Sequence, residues 1–246
     1  MASAGAGSLG LLAWLLLLQP WLCQARLVLE IIFEYVVKIG DTDVHHLSRS
    51  SVIVPVEDIV IHEDFNYVTI ENDIALALLA FPVNYSTHIQ PVCFPDKTFM
   101  VKTDTPCWVT GWGRLTEKAT TMPNKLQEAE LHIIRREKCL EILEKKTGRN
   151  FILGNAVCAY AEGKDSCKGD SGGPLVCELN DTWIQVGIVS WGLGCAKKGF
   201  PGIYTEVSFY KDWIIAHMSQ ASCLNSVGFL VLILCLVLPL DILVTL

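Results

Sequence analysis

The sequence lacks the patterns that mark several common classes of protein. It has no basic stripe, no glycine-rich phosphate loop and no cluster of histidines and cysteines at metal-ligand spacing. It also has no internal repeat and no low-complexity linker. With 19 basic and 26 acidic side chains its net charge is -7, which argues against a nucleic-acid partner. We therefore expect neither a metal, nor another cofactor, nor a nucleic-acid ligand.

A hydrophobic run near the amino terminus predicts export. Residues 9–18 are almost entirely apolar and are followed by Gln19 and Pro20, with small residues near Ala25. The run is too short to span a bilayer, and it is typical of a secretory signal peptide although no charged segment precedes it. We predict a signal peptide over residues 1–25, and a buried helix is the alternative.

The carboxyl terminus predicts a membrane anchor. Residues 227–246 are apolar except for Asp241, and a short segment of small and polar residues precedes them. This order is typical of a GPI-attachment signal, while a retained transmembrane helix or a buried helix would also fit. We expect residues 219–246 to attach the protein to a membrane. The protein would then follow the secretory pathway to the cell surface or be secreted.

Cysteines and glycosylation sequons agree with export. The chain has 10 cysteines, which in an exported protein indicates an oxidising compartment and disulfides. Asn84 and Asn180 each begin an Asn-X-Ser/Thr sequon. We therefore predict a disulfide-bonded glycoprotein with sugar attached at these two asparagines.

Short hydrophobic runs separated by glycine and proline predict an all-β fold. The runs cover residues 35–39, 52–54, 59–61, 74–79, 108–110, 183–191 and 202–207, with Pro55 between the second and the third. Two stretches instead favour helices, at residues 136–146 and 209–218. Residues 95–105 are the best candidate for a boundary between two lobes.

A glycine-rich segment carries the most specific chemical signal. Residues 165–174 read Asp-Ser-Cys-Lys-Gly-Asp-Ser-Gly-Gly-Pro, in which Ser171 follows an aspartate and precedes two glycines. A serine hydroxyl becomes a good nucleophile only when a neighbouring base takes its proton. The glycines permit sharp turns, so that the amides of Gly169 and Ser171 can form an oxyanion hole for a substrate carbonyl. The segment resembles the nucleophile loop of the trypsin-like, or chymotrypsin-fold, S1 serine proteases.

Other segments resemble the same family and occur in its order. They are residues 72–76, 90–93, 107–113, 190–192, 201–204 and 209–218. The resemblance implies a protease domain over residues 26–218 that is built from two antiparallel β-barrels. The N-terminal barrel, residues 26–95, would be incomplete, and residues 106–218 would form the second barrel and a C-terminal helix. The apolar tail resembles membrane-anchored members of the prostasin-like and testis-type subgroup.

The resemblance also assigns roles to single residues. Asp73 would be the triad aspartate beside the nucleophile Ser171, and Asp170 would pair with a newly cleaved amino terminus. Substrate would contact five residues, which are Asp165, Ser190, Trp191, Gly192 and Gly202. Since Asp165 maps to the floor of the specificity pocket, its carboxylate favours a protein or peptide with Arg or Lys at the cleavage site.

Three disulfides follow from the resemblance alone. It pairs Cys107 with Cys177, Cys139 with Cys158 and Cys167 with Cys195, a connectivity that spacing could not select. Cys93 would normally reach a cysteine of a pro-segment. In this chain it is expected to be free, to pair with Cys223 or to pair with another chain.

Two parts of the family pattern have no counterpart in this chain. The cysteine-flanked histidine motif that supplies the base is not found between Arg26 and Asp73, and the activation site is matched only poorly by residues 26–29. None of the six histidines replaces the missing base; they are His45, His46, His62, His88, His132 and His217. We therefore predict a serine protease homologue that is inactive as this chain.

Three interpretations remain open at the sequence level. The chain is an active tryptic endopeptidase, a non-catalytic pseudoprotease that binds a protein at the cell surface, or the product of a truncated transcript or decayed gene without a function. Loss of strands from the first barrel would favour the third, because exposed edges and apolar faces promote aggregation.

Overall fold

A computed structural model describes residues 35–149, 151 and 153–219 of the chain. The predicted signal peptide and residues 220–246 of the predicted anchor lie outside this range. The described residues divide into two compact units, residues 35–63 with 75–91 and residues 64–74 with 92–219. No helix in the part of the chain that the structure describes is long and apolar enough to cross a membrane.

The first unit is a three-stranded antiparallel sheet. Its strands are β1 (Val36–Ile39), β2 (Val52–Ile61) and β3 (Ala75–Leu79), in the order β1-β2-β3. The prediction of two separate runs around Pro55 is wrong, because β2 runs through that residue. Pro55 has no amide hydrogen to donate to the ladder, but its carbonyl oxygen still accepts a 2.9 Å hydrogen bond from the Ala80 amide.

The second unit is built on a closed antiparallel barrel of six strands. The strand order is β4-β5-β6-β9-β8-β7. These strands are β4 (Pro106–Gly111), β5 (Gln127–Ile134), β6 (Ala156–Tyr160), β7 (Pro174–Leu179), β8 (Thr182–Trp191) and β9 (Gly202–Glu206). Inside the barrel, Leu131, Leu175 and Tyr204 are fully buried and form the centre of the core. A closed barrel has no exposed sheet edge, which makes it a rigid base for surface loops.

Two helices pack beside this barrel. Helix α1 (Arg136–Thr147) turns Cys139 and Leu143, one helical turn apart, toward a second core cluster that contains Ile203. It ends at Gly148, whose left-handed φ of 67° lets its amide bond to the Glu144 carbonyl oxygen. A 3-10 helix (Val207–Tyr210) follows β9 and leads into helix α2, residues 211–219. Both predicted helices are therefore present.

The predicted fold class is confirmed. The described chain is mainly β, with one closed antiparallel barrel, a second antiparallel sheet and a short C-terminal helix. The first unit contributes three described strands in one antiparallel sheet, and the incompleteness of an N-terminal barrel stays a prediction.

Candidate active site

The loop that carries Ser171 is fixed through its neighbour Asp170. The Asp170 carboxylate accepts a 2.7 Å hydrogen bond from the Gly113 amide and a 2.8 Å bond from the Cys167 amide. A Cβ atom on Gly111 would stand 2.0 Å from Asp170 Oδ1, so this carboxylate needs glycine at that position. The loop is therefore held to the end of β4 by the aspartate that directly precedes the serine.

The backbone of this loop leaves two amides available. The amides of Asp170, Gly172 and Gly173 donate hydrogen bonds to carbonyl oxygens of the protein. Those of Gly169 and Ser171 donate to no other residue in the described part of the chain. Gly169 has a φ of +100°, which a residue with a side chain rarely adopts. Two free amides at the exposed Ser171 suit a negatively charged or carbonyl oxygen.

No base is hydrogen-bonded to the Ser171 hydroxyl among the described residues. Two of the six histidines belong to the same unit as this serine, and both are bound elsewhere. His132 Nδ1 lies 3.4 Å from the Asp104 carbonyl oxygen, and His217 Nδ1 lies 2.9 Å from that of Trp213. Among the described residues, therefore, no hydrogen-bonded group is in place to take the proton of Ser171.

The segment with Asp73 is bound to the barrel of the second unit. The Ser190 hydroxyl on β8 donates a 2.5 Å hydrogen bond to Asp73 Oδ2, and the Thr205 hydroxyl on β9 donates to the Asp73 carbonyl oxygen at 2.7 Å. Next to it, Asn72 has a left-handed φ of 54° and accepts a 2.9 Å bond from the Tyr210 hydroxyl. These bonds fix Asp73 beside the strand that contains Ser190 and Trp191.

A cavity of about 140 Å³ brings most of the predicted substrate residues together. Its lining includes Asp165, Ser171, Ser190, Trp191 and Gly192. The aromatic ring of Trp191 also stacks on Phe151, with ring centroids 5.7 Å apart. The residues that sequence similarity assigns to a substrate pocket therefore surround one space next to the serine. This space is called the serine-side cavity below.

Gly202, on β9, lies next to the Asp165 carboxylate. It does not line the serine-side cavity, but a Cβ atom at this position would stand 2.8 Å from Asp165 Oδ1 and 3.0 Å from the Tyr204 ring. The glycine on β9 thus leaves room for the Asp165 carboxylate rather than for a ligand directly.

The environment of Asp165 favours its neutral form. Burial raises the pKa of its carboxyl group to about 6, with a smaller contribution in the same direction from the nearby Asp170. Hydrogen bonds from the amides of Ala196 and Ser166, at 3.2 Å and 2.9 Å, act in the opposite direction. A cationic ligand next to this carboxylate would stabilise its charged form.

A second cavity, of about 220 Å³, borders Asp170. It is lined by Gly111, Gly113, Arg114 and Asp165 as well as by Asp170 itself. The Arg114 Nε atom is buried and has no hydrogen-bond partner among the described residues. The carboxylate expected to meet a new amino terminus therefore borders an open space of its own.

The cysteines bear out the disulfides that the resemblance implied. Cys107 is bonded to Cys177, Cys139 to Cys158 and Cys167 to Cys195. The third of these bridges joins the serine loop to the segment that follows β8. Cys93 is exposed and free among the described residues, and Cys223 lies outside them.

The two sequon asparagines are exposed. Asn84 lies in the segment that follows β3, and Asn180 forms the turn between β7 and β8 together with Asp181. Asn180 and Asp181 have φ angles of 52° and 58°, as the tight turns of β-hairpins require. Both side chains are therefore accessible, and glycosylation at these positions stays a prediction.

Sequence reasoning missed several residues that shape the site. Thr205 and Tyr210 bind the Asp73 segment from positions 132 and 138 residues away, so no local pattern relates them. Glu117 and Lys168 also line the serine-side cavity. Lys168 stands within the serine motif and could have been noticed there, whereas nothing marks Glu117 in the sequence.

Comparison with known proteins agrees with this geometry. Residues 18–214 match the family model for Trypsin. The chain is 46% identical over 152 residues to Testisin from Homo sapiens, covering 61% of this chain and 48% of that protein. It is 42% identical over 185 residues to Serine protease 41 from Homo sapiens, covering 74% of this chain and 58% of that protein.

A third relative has a similar coverage. Tryptase from Mus musculus is 44% identical over 167 residues, which are 66% of this chain and 61% of that protein. The chain spans about half to three fifths of the length of these relatives. The family match extends over most of the chain and includes both Asp73 and Ser171. The chain therefore belongs to the trypsin family of serine proteases.

Proposed function

We propose that this chain is a serine endopeptidase homologue with a pocket for Arg or Lys, and that it is catalytically inactive as the 246-residue chain. The observation that carries the first part is the position of Asp165 and Ser171 on one cavity. The second part rests on the absence of a base bonded to Ser171 among the described residues and of the family's histidine motif in the sequence.

The tryptic preference follows from charge and space. A partly buried carboxylate in a cavity with the backbone of Gly192 at its side suits a long cationic side chain, since charge-assisted hydrogen bonds are strong in such surroundings. Guanidinium and ammonium groups stay protonated at neutral pH, and each would offset the burial of Asp165. The proposed partner is therefore a protein or peptide that presents Arg or Lys.

Inactivity follows from the magnitude of base catalysis. Loss of the base alone lowers kcat by ~10⁶ in subtilisin, a worked example for serine proteases. Starting from a typical kcat of ~10 s⁻¹, this leaves on the order of one turnover per day. Asp73 cannot replace the base, because the proposed triad uses it only to orient an imidazole. The free amides of Gly169 and Ser171 would then bind an acyl oxygen without turnover.

A second candidate function is that of a binding pseudoprotease at the cell surface. It is favoured by the ordered Asp170 contacts and by the open serine-side cavity, which together form a recognition surface without a base. The proposed export and anchoring would place that surface outside the cell. A truncated product without a function is the remaining alternative, and failure of the chain to leave the cell would support it.

Hydrolysis of an arginyl ester tests the proposed inactivity. The purified chain and its Ser171→Ala variant should give equal rates, since the hydroxyl is not activated. Stoichiometric labelling of Ser171 by diisopropyl fluorophosphate would contradict inactivity. Binding of benzamidine, measured by calorimetry on the chain and on Asp165→Asn, tests the pocket independently of turnover.

Export and anchoring require a separate experiment. Cells that express the chain should carry it at their surface, with sugar on Asn84 and Asn180 that an N-glycosidase removes. Release by a phosphatidylinositol-specific phospholipase would identify a GPI anchor, and resistance to this enzyme would identify a retained helix. Degradation inside the cell would instead favour the truncated product.

A further inference from the structure

We infer that Glu117 is a second cation-binding carboxylate of the serine-side cavity, and that the cavity selects ligands with two positive groups. Such a ligand is a peptide segment with two basic residues near each other, one directed at Asp165 and the other at Glu117. The inference deepens the proposed function and rests on its Asp165 pocket. It assigns a specificity-determining role to a residue that lies 48 positions before Asp165 in the sequence.

Glu117 reaches the cavity from the loop between β4 and β5. Its carboxylate oxygens would lie 3.3 Å and 3.5 Å from a Cβ atom on Gly194, which also lines the cavity. Gly194 has a φ of +99° and no side chain, so the backbone there leaves the space that the carboxylate occupies. A side chain at Gly194 would therefore come into close contact with the Glu117 carboxylate.

The carboxylate of Glu117 is available for a ligand. It forms no hydrogen bond or ion pair with any residue in the described part of the chain, whereas Asp165 accepts bonds from two amides. An acid at the cavity rim without a protein partner can bind a cation without first breaking an internal ion pair. The two carboxylates thus differ in environment, one partly buried and one exposed.

Lys168 partly offsets the negative charge of the cavity lining. Among the described residues that line this space, the charged side chains are the basic Lys168 and the two acids Asp165 and Glu117. The formal charge of the lining is therefore negative by one. A ligand with one positive group neutralises this charge at Asp165. A second positive group increases the affinity only if it lies near Glu117 and away from Lys168.

Two probes separate these contributions. Benzamidine carries one amidinium group, and a series of bis-benzamidines joined by alkyl chains of three to seven carbons carries two. Calorimetric titration of the full chain at low salt should find at least one bis-benzamidine for which Glu117→Gln weakens binding about three- to five-fold, the upper part of the range for an exposed ion pair. The same variant should change benzamidine binding by less than about two-fold.

Matched variants and salt define the result further. Glu178→Gln removes an exposed carboxylate outside the cavity and should leave both affinities unchanged. Lys168→Gln should strengthen binding of the dication, because it removes a like charge from the lining. The effect of Glu117→Gln should nearly vanish in 0.5 M NaCl, where exposed charges are screened within a few ångströms.

The outcomes distinguish this inference from the proposed function. If benzamidine binds through Asp165 and no bis-benzamidine is sensitive to Glu117→Gln, the role of Glu117 is wrong and the pocket stands. An equal loss of both probes in Glu117→Gln would also overturn the inference, since it would show a general effect on the cavity. If benzamidine fails to bind at all, the tryptic pocket itself is wrong and the inference falls with it.

Discussion

The Ser190 hydroxyl donates a 2.5 Å hydrogen bond to the Asp73 carboxylate, joining two residues 117 positions apart. This bond ties the aspartate of a loop to a strand of the barrel, and the bond from Thr205 to the Asp73 carbonyl oxygen supports the same segment. The aspartate is thus held in one orientation whether or not an imidazole lies beside it. Asp73 is therefore positioned by Ser190 and Thr205, independently of any histidine base.

Replacing Ser190 by alanine should destabilise the second unit. A hydrogen bond to a charged group contributes about 1.5–3 kcal/mol, so Ser190→Ala should lower the free energy of unfolding by about that amount. Denaturant titration followed by tryptophan fluorescence measures the change. Ser208→Ala, which removes a 3.3 Å bond to Glu206, serves as a control and should have the smaller effect.

A double-mutant cycle identifies the bond itself. The coupling between Ser190→Ala and Asp73→Ala should reach at least about 1 kcal/mol, because each change removes the same contact. Additive effects of the two changes would contradict the bond. Circular dichroism of each variant verifies that the barrel remains folded.

Binding of a cation at Asp165 should depend on pH. Burial raises the pKa of this carboxyl to about 6 in the free protein, so the ligand meets a charged carboxylate above that pH and a neutral one below it. Benzamidine stays positively charged throughout. Its affinity should be constant above pH 7 and should be about ten-fold weaker at pH 5, where roughly a tenth of the carboxyl groups are ionised.

The same shift has a consequence for stability. Because the pKa is higher in the folded protein than the ordinary value of 3.8, folding binds a proton between these two values. The stabilisation from Asp165 is therefore complete below about pH 4 and is lost as the pH rises through about 6. In Asp165→Asn both the pH dependence of benzamidine binding and this part of the stability profile should disappear, which calorimetry across pH 4–8 can measure.

Two glycines near the cavity should respond differently to alanine. At Gly192 the added Cβ would lie 3.6 Å from the nearest atom, the carbonyl oxygen of Gly194, so the protein accommodates it. At Gly202 it would lie 2.8 Å from Asp165 Oδ1, and something must shift. Gly202→Ala should therefore destabilise the unit by about 1–3 kcal/mol, while Gly192→Ala should leave its melting temperature unchanged.

Ligand binding provides the second readout for these variants. Gly192→Ala narrows the cavity and should weaken benzamidine while the fold stays intact. Gly202→Ala should weaken it as well, but through displacement of Asp165. A destabilised Gly192→Ala protein, or a Gly202→Ala protein as stable as the parent, would show that the local packing differs from that described.

The sequence predicts most of the architecture because alternation of apolar residues is local. The runs at residues 183–191 and 202–207 correspond closely to β8 and β9, and the helix predicted at residues 136–146 differs from α1 by one residue. No predicted run covers β5, β6 or β7. Strand β5 begins with Gln, Glu and Ala, which have little preference for strands. It is a strand because Leu131 and Ile133 alternate into the barrel core.

The candidate site was predicted less evenly. The serine motif is contiguous, so Ser171, Asp165 and Asp170 could be found together from the sequence. The contacts that hold Asp73 come from residues on β8, β9 and the following 3-10 helix, and only the closed barrel brings these to the loop. Whether Cys93 is paired and where Glu117 lies could not be predicted, because each depends on the three-dimensional course of a loop.

The three disulfides should contribute unequally to stability. Cys107–Cys177 closes a segment of 70 residues and Cys139–Cys158 one of 19, and all four cysteines are fully buried. In the chain-entropy description a longer loop restricts the unfolded chain more, so removing the first bridge should destabilise by about 1 kcal/mol more than removing the second. Denaturant titration of the two double-alanine variants measures this difference.

The comparison is well matched, because each pair of substitutions removes the same atoms from a buried position. Equal losses, or a larger loss for Cys139 and Cys158, would mean that packing of α1 against the barrel outweighs loop closure. The remaining bridge, Cys167–Cys195, closes 28 residues, and both of its cysteines line the serine-side cavity. Its removal should therefore weaken benzamidine binding, an effect that neither of the other two pairs should produce.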